Sequence, residues 1–338
     1  MKLIMRLLPV LFLSFVILSL SITVKASDGD IENIIFNFIV YGDSRGTDHE
    51  GGMHRQIVDA YLQYDPEFVI HTGDMVSTGD NLSSWELFNQ TIMPVLEADI
   101  YYYGVIGNHE QINDPYFSNY LAFFDLPGNE RWYSFNFQDL HFIVLNTQED
   151  LTYDREMYNC SAEQMDWLIV DLDETEVEDF VIVAFHIPPF SVNLDRPVRE
   201  NVSATVRDDF HDLFVQYDVD LVFNGHDHYY YRTVRDGIYY VVTGGGGASL
   251  YGVNKTSETW QIGDIGYKEH HFCNISVNAT HIRVEAIKED GTLLDSFLIA
   301  LEIGEETEEQ EFPFIQVGIL IVGTIIVIAF LLYTRKRL

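Results

Sequence analysis

"IIFNFIVYGDSRG", residues 34–46, is a run of apolar and β-branched residues that stops abruptly at Gly42, Asp43 and Arg45. So dense an apolar run suits a buried strand, and a glycine followed by an aspartate suits a sharp turn at its end. A strand that ends in a polar cluster recurs four times further along the chain. "EFVIHT" (67–72) precedes Gly73-Asp74, and "IYYYGVI" (100–106) precedes Gly107-Asn108-His109-Glu110. "FVIVAF" (180–185) precedes His186, and "VDLVFN" (219–224) precedes Gly225-His226-Asp227-His228. "LHFIVLN" (140–146) is a further strand candidate, and helical patterns fill 52–63, 83–97, 162–173 and 204–217.

Strands and helices alternate up to residue 228. Beyond it, strands follow one another closely: "YYYRTV", "IYYVVTG", "YKEHHFCNISV", "HIRVEAI" and "LLDSFLIAL", with Asp290-Gly291 as a hairpin turn. This order predicts the α/β class, with mixed sheets covered by helices. In such folds ligands bind at the C-terminal ends of the strands, where all five clusters lie. One Gly-Asp pair is ordinarily a turn. His226 and His228, two residues apart, share one side of an extended segment. Together the clusters supply carboxylates, a carboxamide and imidazoles, the mixed oxygen and nitrogen set that suits Mn, Zn or Fe. They offer more ligands than one tetrahedral ion takes.

The whole chain sets the context. Residues 1–26 carry Lys2 and Arg6, a long apolar stretch and a small-residue "VKA" end, the pattern of a signal peptide. Residues 314–333 hold no charge over a length that would cross a bilayer, and the basic "RKRL" follows. This predicts a transmembrane helix with a cytoplasmic tail, 334–338, and an outward-facing domain, 30–301, on an acidic stalk, 302–313. Seven asparagines begin Asn-X-Ser/Thr sites, among them Asn81 and Asn274, as expected of an exported glycoprotein. Cys160 and Cys273 form one disulfide or remain two thiols. Between residues 27 and 312, 13 Lys and Arg face 53 Asp and Glu. That field repels nucleic acid, so no nucleic-acid partner is expected. It also repels anionic small molecules, so phosphate chemistry here requires strong local positive charge.

The ordered set "GDSRG", "GDMV", "GNHE", "FH" and "GHDH" resembles the calcineurin-like metallophosphoesterases, which include the purple acid phosphatases. The resemblance implies a four-layer α/β/β/α sandwich of two mixed sheets with a dinuclear metal centre at their edge. Carried over position by position, it assigns Asp43 and His228 to a first ion and Asn108, His186 and His226 to a second, with Asp74 bridging them. His109, as catalytic proton donor, would face the substrate beside Asn108 and Arg45. It further implies hydrolysis of phosphate esters with a metal-bridging hydroxide as nucleophile, which the leader and anchor patterns would place at the outer cell surface. The alternative, from a different class, is a catalytically weak surface protein that binds a ligand or partner at the same edge.

The first block departs from the family. Where many members read Asp-X-His, this chain reads Asp43-Ser44-Arg45, and a guanidinium has no lone pair for a metal. Purple acid phosphatases place a tyrosine three residues after the bridging aspartate, and here that residue is Ser77. Arg45 either holds a phosphate oxygen with its planar fork or pairs with an acidic neighbour. Ser77, His49 or His54 could substitute as a ligand, although His54 lies in a helical stretch and reads as a surface histidine. Glu110 orients His109 or simply ends its loop. "TGGGG" (243–247) reads as a permissive turn beside the site, and Tyr101–Tyr103 and Tyr229–Tyr231 read as packing rather than as stacking platforms.

Overall fold

The apolar run around Phe38 forms a strand because both of its faces are covered by protein. The structure, a computed structural model, describes residues 34–45, 52–148, 160–175, 180–195 and 199–301. Its first part contains β1 (Phe36–Tyr41), α1 (Met53–Tyr61), β2 (Phe68–His71), α2 (Leu82–Glu97), β3 (Tyr101–Gly104), α3 (Asn108–Gln111) and α4 (Ser118–Phe123). Next come β4 (Tyr133–Phe137), β5 (Leu140–Val144), α5 (Ala162–Glu174), β6 (Phe180–Phe185), α6 (Arg199–Gln216) and β7 (Leu221–Asn224). The chain then runs through β8 (Tyr230–Arg235), β9 (Ile238–Thr243), β10 (Ile265–Tyr267), β11 (Phe272–Val277), β12 (His281–Ile287) and β13 (Leu293–Ala300).

These strands make two mixed sheets. One runs in the order β13-β12-β11-β1-β2-β3, the other β10-β8-β9-β7-β6-β5-β4. In the first, β1, β2 and β3 are parallel, with Ile39 beside Val69 and Val69 beside Tyr102. In the second, β5, β6, β7 and β9 are parallel, with Ile182 beside Leu221 and Leu221 beside Tyr239.

Alternation along the strands sorts their side chains into layers. Phe142, Ile182, Ala184, Leu221 and Phe223 pack toward the six-stranded sheet, while Ile143, Val183, Phe185 and Val222 pack with Leu168 of α5 and Phe210 and Phe214 of α6. On the far side, Tyr61 of α1 lies against Tyr41 and Phe88 of α2 lies edge-on to His71. Strands covered on both faces read as continuous apolar runs rather than alternating ones. Phe38 joins the sheets: its ring stacks on Phe68 at 4.8 Å and meets Phe142 of the other sheet edge-on at 5.4 Å.

The expected strands and helices form within a few residues of their anticipated bounds, with one division. "YKEHHFCNISV" (267–277) is not one strand, because β10 pairs with β8 in the seven-stranded sheet whereas β11 pairs with β1 in the other. The crossing is fixed by buried His271, whose Nε2 meets Thr243 Oγ1 at 3.1 Å. The Asp290-Gly291 turn does join an antiparallel hairpin, with Gly291 at φ 83°. The additional strand β4 pairs antiparallel with β5.

The leader-like residues 1–26, the acidic segment 302–313, the apolar stretch 314–333 and the basic tail 334–338 lie outside the described residues. Among the described residues no helix is long and apolar enough to cross a membrane. Cys160 and Cys273 are not joined in a disulfide. Asn274 is buried in β11, where its amide bonds Ser276, so that Asn-X-Ser site does not fit a glycan.

Replacing Phe38 with alanine removes the ring that links both sheets at a fully buried position. The expected loss is about 3–5 kcal/mol, read as a lowered denaturant midpoint; a midpoint equal to wild type would show that Phe38 does not hold the sheets together.

Candidate metal centre

The parallel strands of both sheets end at one edge of the sandwich, and the polar clusters meet there. Asp43 lies two residues past β1, Asp74 three past β2, and Asn108 opens α3 after β3. His186 follows β6 directly, and His226 and His228 follow β7. His186 Nε2 lies 3.3 Å from Asp74 Oδ1 and 3.2 Å from Asn108 Oδ1. His226 Nδ1 lies 2.9 Å from the same Asn108 oxygen and 3.3 Å from His186 Nε2. His228 Nε2 lies 3.2 Å from Asp43 Oδ1. One donor atom each from Asp43, Asp74 and His186 falls within 4.8 Å of the others, and all six residues are buried.

The backbone bends sharply to achieve this. Asp43, Asp74 and His226 have φ of 56°, 59° and 67°, in the left-handed region that non-glycine residues seldom adopt. Such strain persists only where surrounding contacts impose it. One of these contacts is the carboxylate of Glu110, fully buried at the end of α3. Its Oε2 accepts the amides of Asp74 (2.9 Å) and Gly107 (2.8 Å), and its Oε1 those of Met75 (2.8 Å) and Val76 (3.2 Å). Burial, and then the charge of Asp74, push Glu110 up to about 7 against these donors. Gly73, at φ 97°, packs so closely that a methyl there would lie 2.7 Å from His186 Nδ1. A second clasp crosses the sheets: the His226 amide donates to Asp43 Oδ2 at 2.8 Å.

The donor chemistry fits a cation. His186 Nδ1 is 2.8 Å from the Thr72 carbonyl oxygen, which can only accept, so in the neutral ring the proton sits on Nδ1 and Nε2 presents a lone pair. That lone pair faces a carboxylate oxygen and the Asn108 carbonyl oxygen, three acceptors turned toward one point. His228 repeats the arrangement, its Nδ1 2.7 Å from the Ser249 carbonyl. Backbone-anchored imidazoles of this kind are the ordinary outer support of metal-ligating histidine. Asp43 Oδ1, beside His228, is buried without a hydrogen-bond partner. Asp74 is held well below the usual carboxylate range: burial opposes its charge, but His109, His186 and Arg45 outweigh it.

Residues 37–230 match the family model for calcineurin-like phosphoesterases. The chain belongs to this family. Mouse acid phosphatase type 7 (Mus musculus) is 28% identical over 269 residues, 67% of this chain and 59% of that protein. Purple acid phosphatase 15 of Arabidopsis thaliana is 32% identical over 160 residues, 42% of this chain and 28% of that protein. The chain thus spans no more than about three fifths of these relatives. Purple acid phosphatase PPD1 from yellow lupin (Lupinus luteus) seeds superposes with a TM-score of 0.67 at 22% identity, over 78% of this chain and 53% of that one. Its fold is that of this calcineurin-like phosphoesterase.

Within this calcineurin-like phosphoesterase several single residues differ from their sequence reading. His54 is not a surface histidine: it is buried against Phe88, its Nε2 is 2.9 Å from the Tyr41 hydroxyl, and burial pushes it down to about 3. Its helix turns inward because α1 covers a sheet. The Ser77 carbonyl oxygen takes His109 Nδ1 at 2.7 Å, and His49 lies outside the described residues. Glu110 neither orients His109 nor merely ends a loop. The signal for its clasp was an acid three residues into a helix start after glycine, the position from which a carboxylate reaches back to amides.

Asp227 turns away from its histidine neighbours to take Ser191 Oγ (2.5 Å), Asn193 Nδ2 (2.6 Å) and the Tyr229 hydroxyl (2.8 Å). Tyr229, Tyr230 and Tyr231 are fully buried. Tyr251, missed in the sequence, stacks on His228 with centroids 4.2 Å apart. Gly244–Gly247 do sit beside the site, where Gly246 N donates to the Gly42 carbonyl at 2.8 Å.

Glu110→Gln keeps the shape but replaces one acceptor with a donor, leaving two buried amides opposed. The expected cost is about 3 kcal/mol, measured by denaturant, together with weaker Mn²⁺ binding in calorimetry. Unchanged stability would mean that the amides find other partners.

Proposed function

We propose that this chain is a metal-dependent hydrolase of phosphate esters working at the outer face of a membrane. The observation that carries the reading is the convergence of Asp74, Asn108, His186 and His226 side-chain atoms on one buried point, with the lone pair of His186 Nε2 turned into it by the Thr72 carbonyl. An ion bound there supplies a Lewis acid for phosphoryl oxygen and lowers the pKa of coordinated water. The strongly acidic surface makes such local positive charge a requirement for any anionic substrate.

The side chains around that point have separate tasks in the hydrolysis. Asp74 and the carboxamide of Asn108 form the oxygen side of the ligand cage, and Asn108 does so without adding a charge that would repel phosphate. His109 is half-buried at the rim, with Nδ1 anchored on Ser77 and Nε2 3.8 Å from Asp74 Oδ2. This turns its Nε2 toward the substrate side. Because Nδ1 keeps its proton for Ser77, Nε2 donates only from the doubly protonated ring, giving its proton to the alkoxide as the ester P–O bond breaks. The attacking water's oxygen bonds to phosphorus, and the proton it sheds restores the ring. Arg45 presents a guanidinium to the same side, and its planar donors suit a phosphoryl oxygen.

The membrane placement rests on the leader-like residues 1–26, the uncharged 314–333 and the basic residues after it. A surface protein that binds a ligand or partner at this edge without turnover is the competing reading.

The test is to load the full-length chain with Mn²⁺, Zn²⁺ or iron and assay p-nitrophenyl phosphate, its bis ester and an alkyl phosphate, with and without chelator. Chelator-sensitive turnover is expected. Absence of turnover of every ester by metal-saturated protein would leave the binding reading in its place. His109→Asn should retain bound metal by mass spectrometry while losing about 10²–10⁴-fold in kcat on the alkyl ester, with a smaller loss on the nitrophenyl esters. Equal losses on both classes would remove His109 as proton donor.

A further inference from the structure

The resemblance gives the first ion three protein ligands, Asp43, Asp74 and His228. In the structure the side chain of Arg45 reaches between two of them. Its Nε donates to Asp74 Oδ2 at 3.0 Å, and one terminal nitrogen lies 3.3 Å from His228 Nε2. Because Nδ1 of His228 is spent on the Ser249 carbonyl, Nε2 of the neutral ring is an acceptor, and the guanidinium donates to it. Arg45 thereby takes lone pairs on two of the three ligands that a first ion would need. Its backbone is held as well, with Arg45 N donating to the Asp74 carbonyl at 3.1 Å.

The rest of the site is arranged around that position. Asp74 divides its oxygens: Oδ1 faces His186 and accepts the His109 amide at 2.9 Å, while Oδ2 serves Arg45. The Asp43 oxygen without a hydrogen-bond partner faces His228. The Arg45 side chain is only 19% exposed, and burial works against its charge, but Asp74 and then Asp43 more than restore it. Tyr251, flat against His228, holds that ring in place.

We propose that Arg45 is a built-in cation occupying the first metal position, so that the chain binds one metal ion, on Asp74, Asn108, His186 and His226, and not two. The proposal rests on the metal-dependent reading above and refines its composition. A guanidinium cannot shed its proton to make way for an incoming ion, and a divalent ion at contact distance would meet a permanent like charge. The exchange keeps positive charge on both sides of Asp74. It replaces a Lewis acid on one side with a fork of N–H donors, which can grip phosphate but cannot activate water. The work of activating water then falls to a single ion on the His186 side.

The deciding experiment counts ions without reference to turnover. The full-length chain is saturated with Mn²⁺, freed of excess by gel filtration, and analysed by plasma mass spectrometry and electron paramagnetic resonance. One Mn²⁺ per chain with the hyperfine pattern of an isolated ion is expected. Arg45→His, which restores a ligand and removes the fixed charge, should bind two per chain and show an exchange-coupled spectrum. Arg45→Ala, which removes only the charge and the donors, should also rise above one.

Two coupled ions in the wild type would overturn the proposal and leave metal-dependent hydrolysis standing. One ion in wild type and in both variants would also overturn it, since something other than Arg45 would then exclude the second ion. No bound ion in the saturated wild type would remove the metal-dependent reading itself.

Discussion

Four backbone amides converging on the Glu110 carboxylate hold the candidate centre together. Asp74, Met75 and Val76 lie on the loop after β2, whereas Gly107 caps and Glu110 lies within α3, the short helix that follows β3. The clasp therefore fixes two strand ends against each other before any ligand arrives. Satisfying four buried donors with one side chain compensates the desolvation of both. Without it, the left-handed turn at Asp74 would lose the bond to its own amide, and only Arg45 and the His109 amide would still direct the carboxylate that joins the two halves of the site. The remaining attachment, from the His226 amide to Asp43, does the same between sheets.

The two sheets contribute unequally to the chemistry. Oxygen donors come from the ends of the six-stranded sheet at Asp43, Asp74 and Asn108, and imidazoles from the seven-stranded sheet at His186, His226 and His228. Neither sheet carries a complete ligand set. The centre exists only when Phe38, Phe68 and Phe142 bring the inner faces into register, so core packing and site geometry are one problem.

Much of this was legible in the sequence because it follows from local patterns. Runs such as "FVIVAF" are apolar on every residue since helices cover one face and a second sheet the other, and each run stops where the chemistry begins. The polar clusters were readable because glycine and aspartate at a strand end mark a turn whatever its purpose. What the sequence left open depends on distant partners. That Arg45 meets an acid depends on Asp74, 29 positions away. His54 was misplaced because a nine-residue helix shows its covered face only when the sheet beneath it is known. Tyr251 gave no signal, since its contact with His228 joins a loop to a strand end. The division of residues 267–277 between two sheets was hidden because both halves read as strand.

Beneath the ligands lies a layer of polar groups that carries no charge. The His71 Nδ1 accepts the Gly73 amide, so its Nε2 donates to Ser44 Oγ at 2.9 Å, and the Tyr41 hydroxyl is shared between His54 and Tyr102. Burial first of all drives His54 and His71 down and Tyr41, Tyr61 and Tyr102 up. This floor stays neutral through the whole range in which a protein normally works. It behaves as an insulator, polar enough to bond the strand ends yet electrically silent. Any change in the field at the centre with pH or with bound anion therefore comes from its walls and from what enters it.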